Sequence, residues 1–459
     1  MVVMAVVLLV LALTGGFSRY DTAGLVLLRL VLVLAAGAMA ILPAASEDRI
    51  TRLPLLLTGL LALVIVLQLV PLPPAIWLSL PQRARYGVAA IVANQSQPWR
   101  PISIVPVLTL NALLALLPAA VVLFGFGRLS VPQQRLGVLA LLVLATASAT
   151  LGILQLGAGP NSWAYLYRKV SEGLPGGLFA NRNHQAAFLA GSLPFFATWA
   201  LLDGGITRGR KHAGGMFRMA LAVAGALLAL LVILASGSRS GLVLALGNAV
   251  GATYLVLAAG GFRTSRQMVR ILAGIVGAGA AVVGLAIWFG RGSGFARFQA
   301  IGERGAEMRI SAWPVLKQLA VDYLPWGSGF GTFNPLFRIF EPDALLKPTY
   351  FNAAHNDLIE LVITGGVPAL LVLIGFLVWF AWRCAIVFRP GARPAGDVLV
   401  AQAAAMLLLT FLLASLSDYP LRTPLAGGLV ALVAGLIERG VRAVRGDRAT
   451  ALVRDGAVG

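Results

Sequence analysis

The sequence predicts an all-α polytopic membrane protein, and three observations support this fold class. The chain is 59% hydrophobic and only 12% charged, with a mean hydropathy of +0.88, whereas soluble domains carry about 25% charged residues. Apolar runs of roughly 17 to 25 residues recur along the chain, and this length lets a helix cross a bilayer. The strands of a membrane barrel would instead alternate in polarity over about ten residues. No polar block of domain size separates the runs, so residues 1–459 are expected to form a single integral membrane domain.

The apolar runs predict about twelve transmembrane helices. The first run lacks a positively charged start and a small-residue cleavage site, which favours a retained helix over a signal peptide. The predicted spans are 1–17, 24–45, 54–72, 107–127, 135–156, 184–203, 219–236, 241–261, 271–290, 356–382, 397–416 and 425–438.

Basic residues between the runs predict the orientation. With a cytoplasmic N-terminus, the short connections on the cytoplasmic side carry arginine and lysine, as the positive-inside rule expects. These residues are Arg49, Arg52, Arg128, Arg135, Arg208, Arg210, Lys211, Arg218, Arg263, Arg266, Arg270, Arg383, Arg389 and Arg393. The basic tail 439–459 follows on the same side, so we expect both termini to be cytoplasmic. The net charge of +19 then reflects topology rather than nucleic-acid binding, because it is divided among short clusters.

Three longer connections, 73–106, 157–183 and 291–355, fall on the opposite, outer side. A long stretch that contains Trp, Arg, Pro and Gly usually forms a functional surface, because a helical bundle needs only short links. We therefore expect the outer face to be the working face, with the loop 291–355 lying over the active site.

Four polar clusters fall at the outer ends of the predicted helices. Ionisable groups at membrane depth are costly and are usually functional. The parity of the spans places all four clusters on one side of the membrane, which favours a common site. In chain order they are Asn181-Arg182-Asn183-His184, Ser238-Arg239-Ser240, Arg309 with Trp313 and Arg338, and His355-Asn356-Asp357 with Glu360.

Several of these residues also have a structural interpretation. Asn181 or Asn183 can cap a helix, and Arg182 can extend its guanidinium toward lipid headgroups. Asp357 suits the first turn of a helix, where a carboxylate stabilises the helix dipole. Arg239 lies in a turn between two spans, too short to reach far into water, and this position favours anion binding.

The remaining polar residues are predicted to be structural. Asp418 and Arg422 are expected to pair with each other and to fix the last outer turn. His212 lies in a basic cytoplasmic loop and is expected to be solvated. Cys384 is the single cysteine of the chain, so the sequence predicts neither an internal disulfide nor a cysteine metal site.

Taken in order, the clusters resemble the O-antigen ligase and O-antigen polymerase superfamily. The resemblance extends over roughly residues 50–430. Each motif alone is weak, but their order and their position on one side of the membrane make the combination specific. The motifs are Gln68-Leu-Val-Pro-Leu-Pro-Pro-Ala-Ile-Trp77, Phe179-Ala-Asn-Arg-Asn-His184, Ser238-Arg239-Ser-Gly241, Arg309 with Trp313, Gly327-Ser-Gly-Phe-Gly-Thr-Phe333, His355-Asn-Asp357 and Ser417-Asp-Tyr-Pro-Leu-Arg422.

The resemblance implies a GT-C-like fold and transfer of a glycan from undecaprenyl diphosphate to an acceptor hydroxyl. The reaction is expected on the periplasmic face of the bacterial inner membrane, without a metal or a cofactor. His355 matches the essential histidine of the family. The residues expected near the donor diphosphate are Arg239, Arg309 and Arg182, and the supporting residues are His184, Asn356, Asp357 and Arg338.

The same residue types follow from the chemistry of the reaction. A sugar on a lipid diphosphate already has a good leaving group, so the enzyme must mainly neutralise developing charge and deprotonate the acceptor hydroxyl. Arginine stays charged and binds phosphate oxygens in a bidentate way. Histidine is partly neutral near pH 7 and can accept the proton.

The sequence leaves several functions open. The acceptor can be a lipid A core or a similar lipid, as in a ligase, or a second lipid-linked glycan, as in a polysaccharide polymerase. In Gly366-Val-Pro-Ala369, the residue three positions after the glycine is alanine, and many ligases differ from this pattern. The sequence therefore does not decide between a ligase and a polymerase. A transporter of lipid-linked oligosaccharide would also need arginines at membrane depth, although the sequence shows neither a pattern of paired broken helices in matching halves nor the motif of a nucleotide-binding loop. A structural scaffold would leave the membrane-embedded arginine and histidine unexplained.

Overall fold

The structure, a computed structural model, describes residues 1–19, 22–46, 50–159, 162–167, 174–202, 213–259, 311–346, 353–389 and 396–456, with the backbone alone for 213–214 and 447–456. In these stretches the chain is helical, and its extended pairing is a single bridge between Leu72 and Arg100. The helices are α1 (Val2–Thr14), α2 (Ala23–Ile41), α3 (Arg52–Leu67), α4 (Pro74–Trp77), α5 (Ala84–Val92), α6 (Pro106–Leu114), α7 (Leu117–Arg128), α8 (Val131–Leu156), α9 (Arg182–Leu201), α10 (Ala213–Ser236), α11 (Arg239–Ala259), α12 (311–322), α13 (Phe333–Phe340), α14 (Asp357–Val387), α15 (Asp397–Ala414) and α16 (Pro424–Gly456).

The predicted spans coincide with these helices, apart from 271–290, which lies outside the described residues. The span 107–127 corresponds to α6 and α7 together, while α1 and α3 are apolar but shorter than a full crossing. The count of twelve stays a prediction. Eight described segments are long and apolar enough to cross a membrane: Ala23–Ile41, Pro106–Arg128, Val131–Leu156, Gly215–Ser236, Arg239–Ala259, Asp357–Val387, Asp397–Ala414 and Pro424–Gly446.

Helix α9 occupies the centre of the bundle. It packs against α8, α10, α11 and α15, and most of its side chains are buried. Small residues allow this close packing: a Cβ on Gly241 of α11 would collide with Ala186. Because protein rather than lipid surrounds it, α9 tolerates buried polar residues such as Gln185 and Ser192, and it is not one of the eight strongly apolar segments.

Helix α14 is broken near its start, at Gly366. This glycine has φ 63° and ψ −158°, and Pro368 follows it inside the helix. The break exposes backbone groups to which the segment 325–330 binds: Gly329 N donates to Thr364 O at 3.0 Å and Val367 N donates to Pro325 O at 2.8 Å.

The side chain of Gln68 fixes the same junction from α3. Its Nε2 donates to Thr364 O at 2.9 Å, and its Oε1 accepts from Phe330 N at 3.0 Å. The described part of the predicted loop 291–355 adds a small core of its own around Leu316, Tyr323 and Phe337. Residues 291–310 lie outside the described chain, so the full extent of that loop stays a prediction.

Basic residues gather at the end of the bundle away from this junction. Asp397 accepts from Arg439 at 2.6 Å and from Arg135 at 3.1 Å. Glu438 binds Arg383 at 2.8 Å. We call this the arginine end. The end that contains the turn 415–423 is called the site end.

Candidate functional site

The centre of the candidate site is Asp418, in the short turn between α15 and α16. Its side chain is nearly inaccessible to solvent, with 6% of its surface exposed. Its Oδ1 lies 3.6 Å from His184 Nε2 and 3.5 Å from His355 Nδ1, and it also accepts from Tyr419 N at 3.0 Å. Its Oδ2 accepts from Asn183 at 2.9 Å. The carboxylate therefore joins two histidines that are far apart in sequence.

Both histidine rings also contact Tyr419. The ring centroids lie 5.3 Å from Tyr419 for His184 and 5.0 Å for His355. The two histidines differ in accessibility, because 2% of the His184 side chain is exposed and 18% of the His355 side chain. Only His355 can therefore meet a substrate from outside without rearrangement of the site.

The start of α9 brings its polar residues to Asp418. Asn181 caps this helix by accepting from Asn183 N at 2.8 Å, and its Nδ2 donates to Asp418 Oδ2 at 3.3 Å. The structural interpretation of Asn181 is thus correct, and the same side chain also contacts the site. Capping fixes the first turn of α9, and with it the position of His184.

The start of α14 places His355 through a similar cap. Asn356 accepts from Ile359 N at 3.0 Å, and its Nδ2 donates to Leu416 O at 2.9 Å. His355, one residue before this cap, has a φ of 50°, in the left-handed region that few non-glycine residues adopt. Such backbone conformations occur at functional sites, where the surrounding contacts hold them.

The predicted pairing of Asp418 with Arg422 is wrong. Arg422 Nε instead donates to Asp357 Oδ1 at 3.1 Å, and Nη1 pairs with Glu360. Glu360 Oε2 accepts from Ala354 N at 2.8 Å. The physical reason is direction: Arg422 ends a 3-10 turn that faces α14, whereas Asp418 faces the start of α9.

The surroundings shift the pKa values of both charged residues in this turn. Burial alone would raise the pKa of Asp418, but hydrogen bonds and charge from His184 and His355 outweigh burial and hold that pKa well below its usual range. Burial would lower the pKa of Arg422, but the carboxylates of Glu360 and Asp357 outweigh it and raise that pKa. The site therefore contains an anion and a cation at neutral pH.

Two of the predicted donor arginines lie at adjacent helix starts. Arg182 begins α9 and donates from Nη1 to Ser236 O at 3.0 Å, while Arg239 is exposed at the first position of α11. Arg309 lies outside the described residues. Arg338 is exposed on α13, and the buried side chains of that helix include Phe333 and Phe337. The structure thus brings Arg182, but not Arg309, into a described contact near the site.

An apolar cavity of about 560 Å³ adjoins the site. Its polar residues include Tyr419, Asp357 and Arg422, which belong to the site, and also Arg19 and Arg29. Among the described residues, no group of three or more His, Cys, Asp and Glu is arranged to hold a metal ion.

The sequence analysis missed the role of Asp418 and the two arginines of the cavity. One signal was present for Arg29, which is a charged residue inside the predicted span 24–45. No comparable signal singled out Asp418, because a spacing of four residues made Arg422 its obvious partner.

The fold and the site together define a multi-pass bacterial membrane protein with a histidine and carboxylate site at one end of its bundle. Residues 224–374 match the family model described as O-antigen ligase, which confirms the resemblance to the O-antigen ligase and polymerase superfamily. Members of that superfamily are glycosyltransferase-like ligases and polymerases. The matched segment includes Arg239, Arg309 and His355, whereas His184 and Asp418 lie outside it. Among curated proteins, none matches the chain.

Proposed function

We propose that the protein transfers a glycan from undecaprenyl diphosphate to an acceptor hydroxyl, with His355 as the catalytic base. The observation that carries this proposal is the position of His355 Nδ1, 3.5 Å from the buried carboxylate of Asp418. A proton on Nδ1 faces the carboxylate and leaves the lone pair on Nε2. This arrangement orients the ring and stabilises the imidazolium that forms when Nε2 accepts a proton.

The reaction follows from these positions. The acceptor hydroxyl gives its proton to His355 Nε2 while its oxygen forms a bond to the anomeric carbon of the donor sugar. The bond between that carbon and the diphosphate oxygen breaks, and the electron pair leaves with undecaprenyl diphosphate. Arg182 and Arg239, at the starts of neighbouring helices, neutralise the negative charge on the leaving group, and helix N-termini favour the same charge. Arg309 is proposed to join them. No metal or cofactor is needed in this scheme.

We further propose that the site end is periplasmic and that both termini are cytoplasmic, in the bacterial inner membrane. The support for this orientation is the arrangement of charges: Arg135, Arg383 and Arg439 belong to the arginine end, and positive loops stay in the cytoplasm.

The acceptor distinguishes a ligase from a polymerase. A ligase gives the glycan to a lipid A core or a similar lipid, and a polymerase gives it to another lipid-linked glycan. A transporter would leave the glycan on its original lipid. The identity of the labelled product therefore separates all three functions when a labelled lipid-linked glycan is supplied to the reconstituted protein.

The first prediction concerns His355. The variant His355→Ala should lower the transfer rate about 100- to 10,000-fold, the usual contribution of a general base, and should leave donor binding nearly unchanged. The measurement is transfer of a labelled glycan from a defined lipid-diphosphate donor in proteoliposomes. His212→Ala, at the third histidine, is the matched control and should keep normal activity. Near-normal transfer by His355→Ala would refute this mechanism.

A further inference from the structure

The apolar cavity beside the site is lined without the arginines at the starts of α9 and α11. Its described lining comes from α2, α3, α6, α7, α13, α14, α15 and α16 with the adjoining turns, and α8 to α11 contribute no residue to it. Tyr419 belongs to the lining, and its ring contacts both His184 and His355. Neither Arg182 nor Arg239 lines the cavity, whereas Tyr419, which contacts both histidines, does.

Arg29 is the unusual residue of this cavity. It lies six residues into α2 (Ala23–Ile41), about 9 Å along the helix axis at 1.5 Å per residue. Leu28, the preceding residue, and Leu32, about one helical turn later, also line the cavity. Within the described part of the chain, the guanidinium of Arg29 has neither a hydrogen bond nor an ion pair.

A cation in this position requires an explanation. A charged side chain within a membrane span is costly, and such residues usually pair with an anion or mark a binding site. The carboxylates of the lining do not neutralise Arg29, because Asp357 and Glu360 both pair with Arg422. With Arg19 and Arg29 added, the lining carries more positive than negative charge. The cavity therefore complements an amphiphile with apolar chains and an anionic head.

We propose that this cavity holds the acceptor, a lipid-anchored molecule whose phosphate binds Arg29 and whose apolar chains lie between α2, α3 and α14. This inference rests on the proposed transfer reaction and adds the binding site of its second substrate.

The occupant is the acceptor rather than the donor because a transfer reaction needs two binding sites that meet at one base. The arginines at the starts of α9 and α11 form one anion site, and the cavity forms the other. The lipid anchor delivers the acceptor hydroxyl to His355 from the side of Tyr419. A soluble sugar or a protein acceptor would have no use for an apolar cavity with an embedded arginine.

Lipid binding by the purified full-length protein tests the proposal, with native mass spectrometry as the readout. The two probes are polyprenyl diphosphate and a monophosphorylated, acylated glucosamine disaccharide. The wild-type protein should bind one molecule of each at the same time. Arg29→Gln should weaken binding of the acylated disaccharide about tenfold, since a charge-assisted phosphate contact is lost, and should keep binding of the polyprenyl diphosphate. Arg29→Lys should retain most of the disaccharide binding.

Three controls make the result specific. Arg52→Gln applies the same change to an exposed arginine at the arginine end of α3 and should have no effect. Ala112→Phe fills the cavity and should block the acylated disaccharide, whereas Ala147→Phe, on the exposed face of α8, should not. Removing the phosphate from the disaccharide should abolish the difference between the wild type and Arg29→Gln.

Three outcomes would overturn the proposal. Displacement of one lipid by the other would mean a single site. Loss of polyprenyl diphosphate in Arg29→Gln would make the cavity the donor site. If the disaccharide binds equally well without its phosphate and equally well to Arg29→Gln, the cavity is a site for structural lipid. Each result concerns binding alone, so it is distinguishable from failure of the transfer mechanism, which His355→Ala tests by activity.

Discussion

The carboxylate of Asp418 joins its own turn, between α15 and α16, to two segments that lie far from it in the chain. It contacts Asn181 and Asn183 before and within α9, and His355 before α14. Because its pKa lies well below the usual range, it stays ionised at neutral and mildly acidic pH. The stability that this carboxylate contributes is present above its unfolded pKa of about 3.9 and is lost only as the pH falls through the lower folded value. Loss of activity near pH 6 would therefore not come from protonation of Asp418.

The second residue-scale prediction concerns this carboxylate. Asp418→Asn keeps the shape of the side chain but removes the charge that orients His355, so the transfer rate should fall about a hundredfold or more. The effect should appear in kcat rather than in KM, and Asp418→Glu should recover part of the rate. Asp322→Asn, at a carboxylate that accepts from Gln318 on the same helix, is the control. An effect of Asp418→Asn on KM alone would contradict a role in orienting the base.

At the scale of residues, the sequence singles out a residue that is unusual in its local context. His355 and Asn181 stood out because polar groups at helix ends in an apolar chain are few. Asp418 did not, since its nearby arginine offered a local partner, whereas its real partners lie at residues 181–184 and 355. Long-range pairing of this kind leaves no periodic signal in one sequence.

At the scale of elements, the break in α14 fixes the segment 325–330 against the bundle. Gly366 combines a φ of 63° with a ψ of −158°, a region that is almost restricted to glycine. A methyl group there would also collide with Pro325 O. The sequence shows the glycine and the following Pro368, but it does not reveal that another segment binds to the opened helix, because that contact depends on tertiary structure.

Replacement of Gly366 provides the element-scale prediction. Gly366→Ala should destabilise the purified protein by about 2 kcal/mol or more, through backbone strain and the collision with Pro325. Gly375→Ala is the matched control in the same helix, because a Cβ there first meets Leu57 Cδ2 at 3.5 Å, an ordinary contact. Thermal unfolding in detergent measures both variants. Equal stability of the two would show that the break in α14 does not need glycine.

At the scale of the whole molecule, the apolar runs were a reliable guide. A span of about 20 apolar residues has few alternatives to a membrane helix, and the described helices fall where the runs predict them. The cavity beside Tyr419 could not be predicted, since its lining comes from helices spread over the entire chain. The sequence predicts the lengths of the helices but not the cavities that remain between the packed helices.

The orientation gives the last prediction. In a Cys384→Ser background, a cysteine at Ser96, which is exposed near the site end, should react in intact cells with a maleimide that cannot cross the inner membrane. A cysteine at Ala45, exposed beside Arg128 at the arginine end, should react only after the membrane is opened. The reverse pattern would show that the site end faces the cytoplasm and would contradict the proposed orientation.

The position of Asp418 in the chain also determines when the site exists during biosynthesis. Ribosomes release the chain from its N-terminus onward, so a nascent protein that has reached only residue 400 already contains His184 and His355. It lacks the carboxylate that holds them together. Under the proposed mechanism, capacity for glycan transfer arises only after the turn between α15 and α16 has emerged and α16 has packed into place, so a partly inserted chain would not consume lipid-linked precursor.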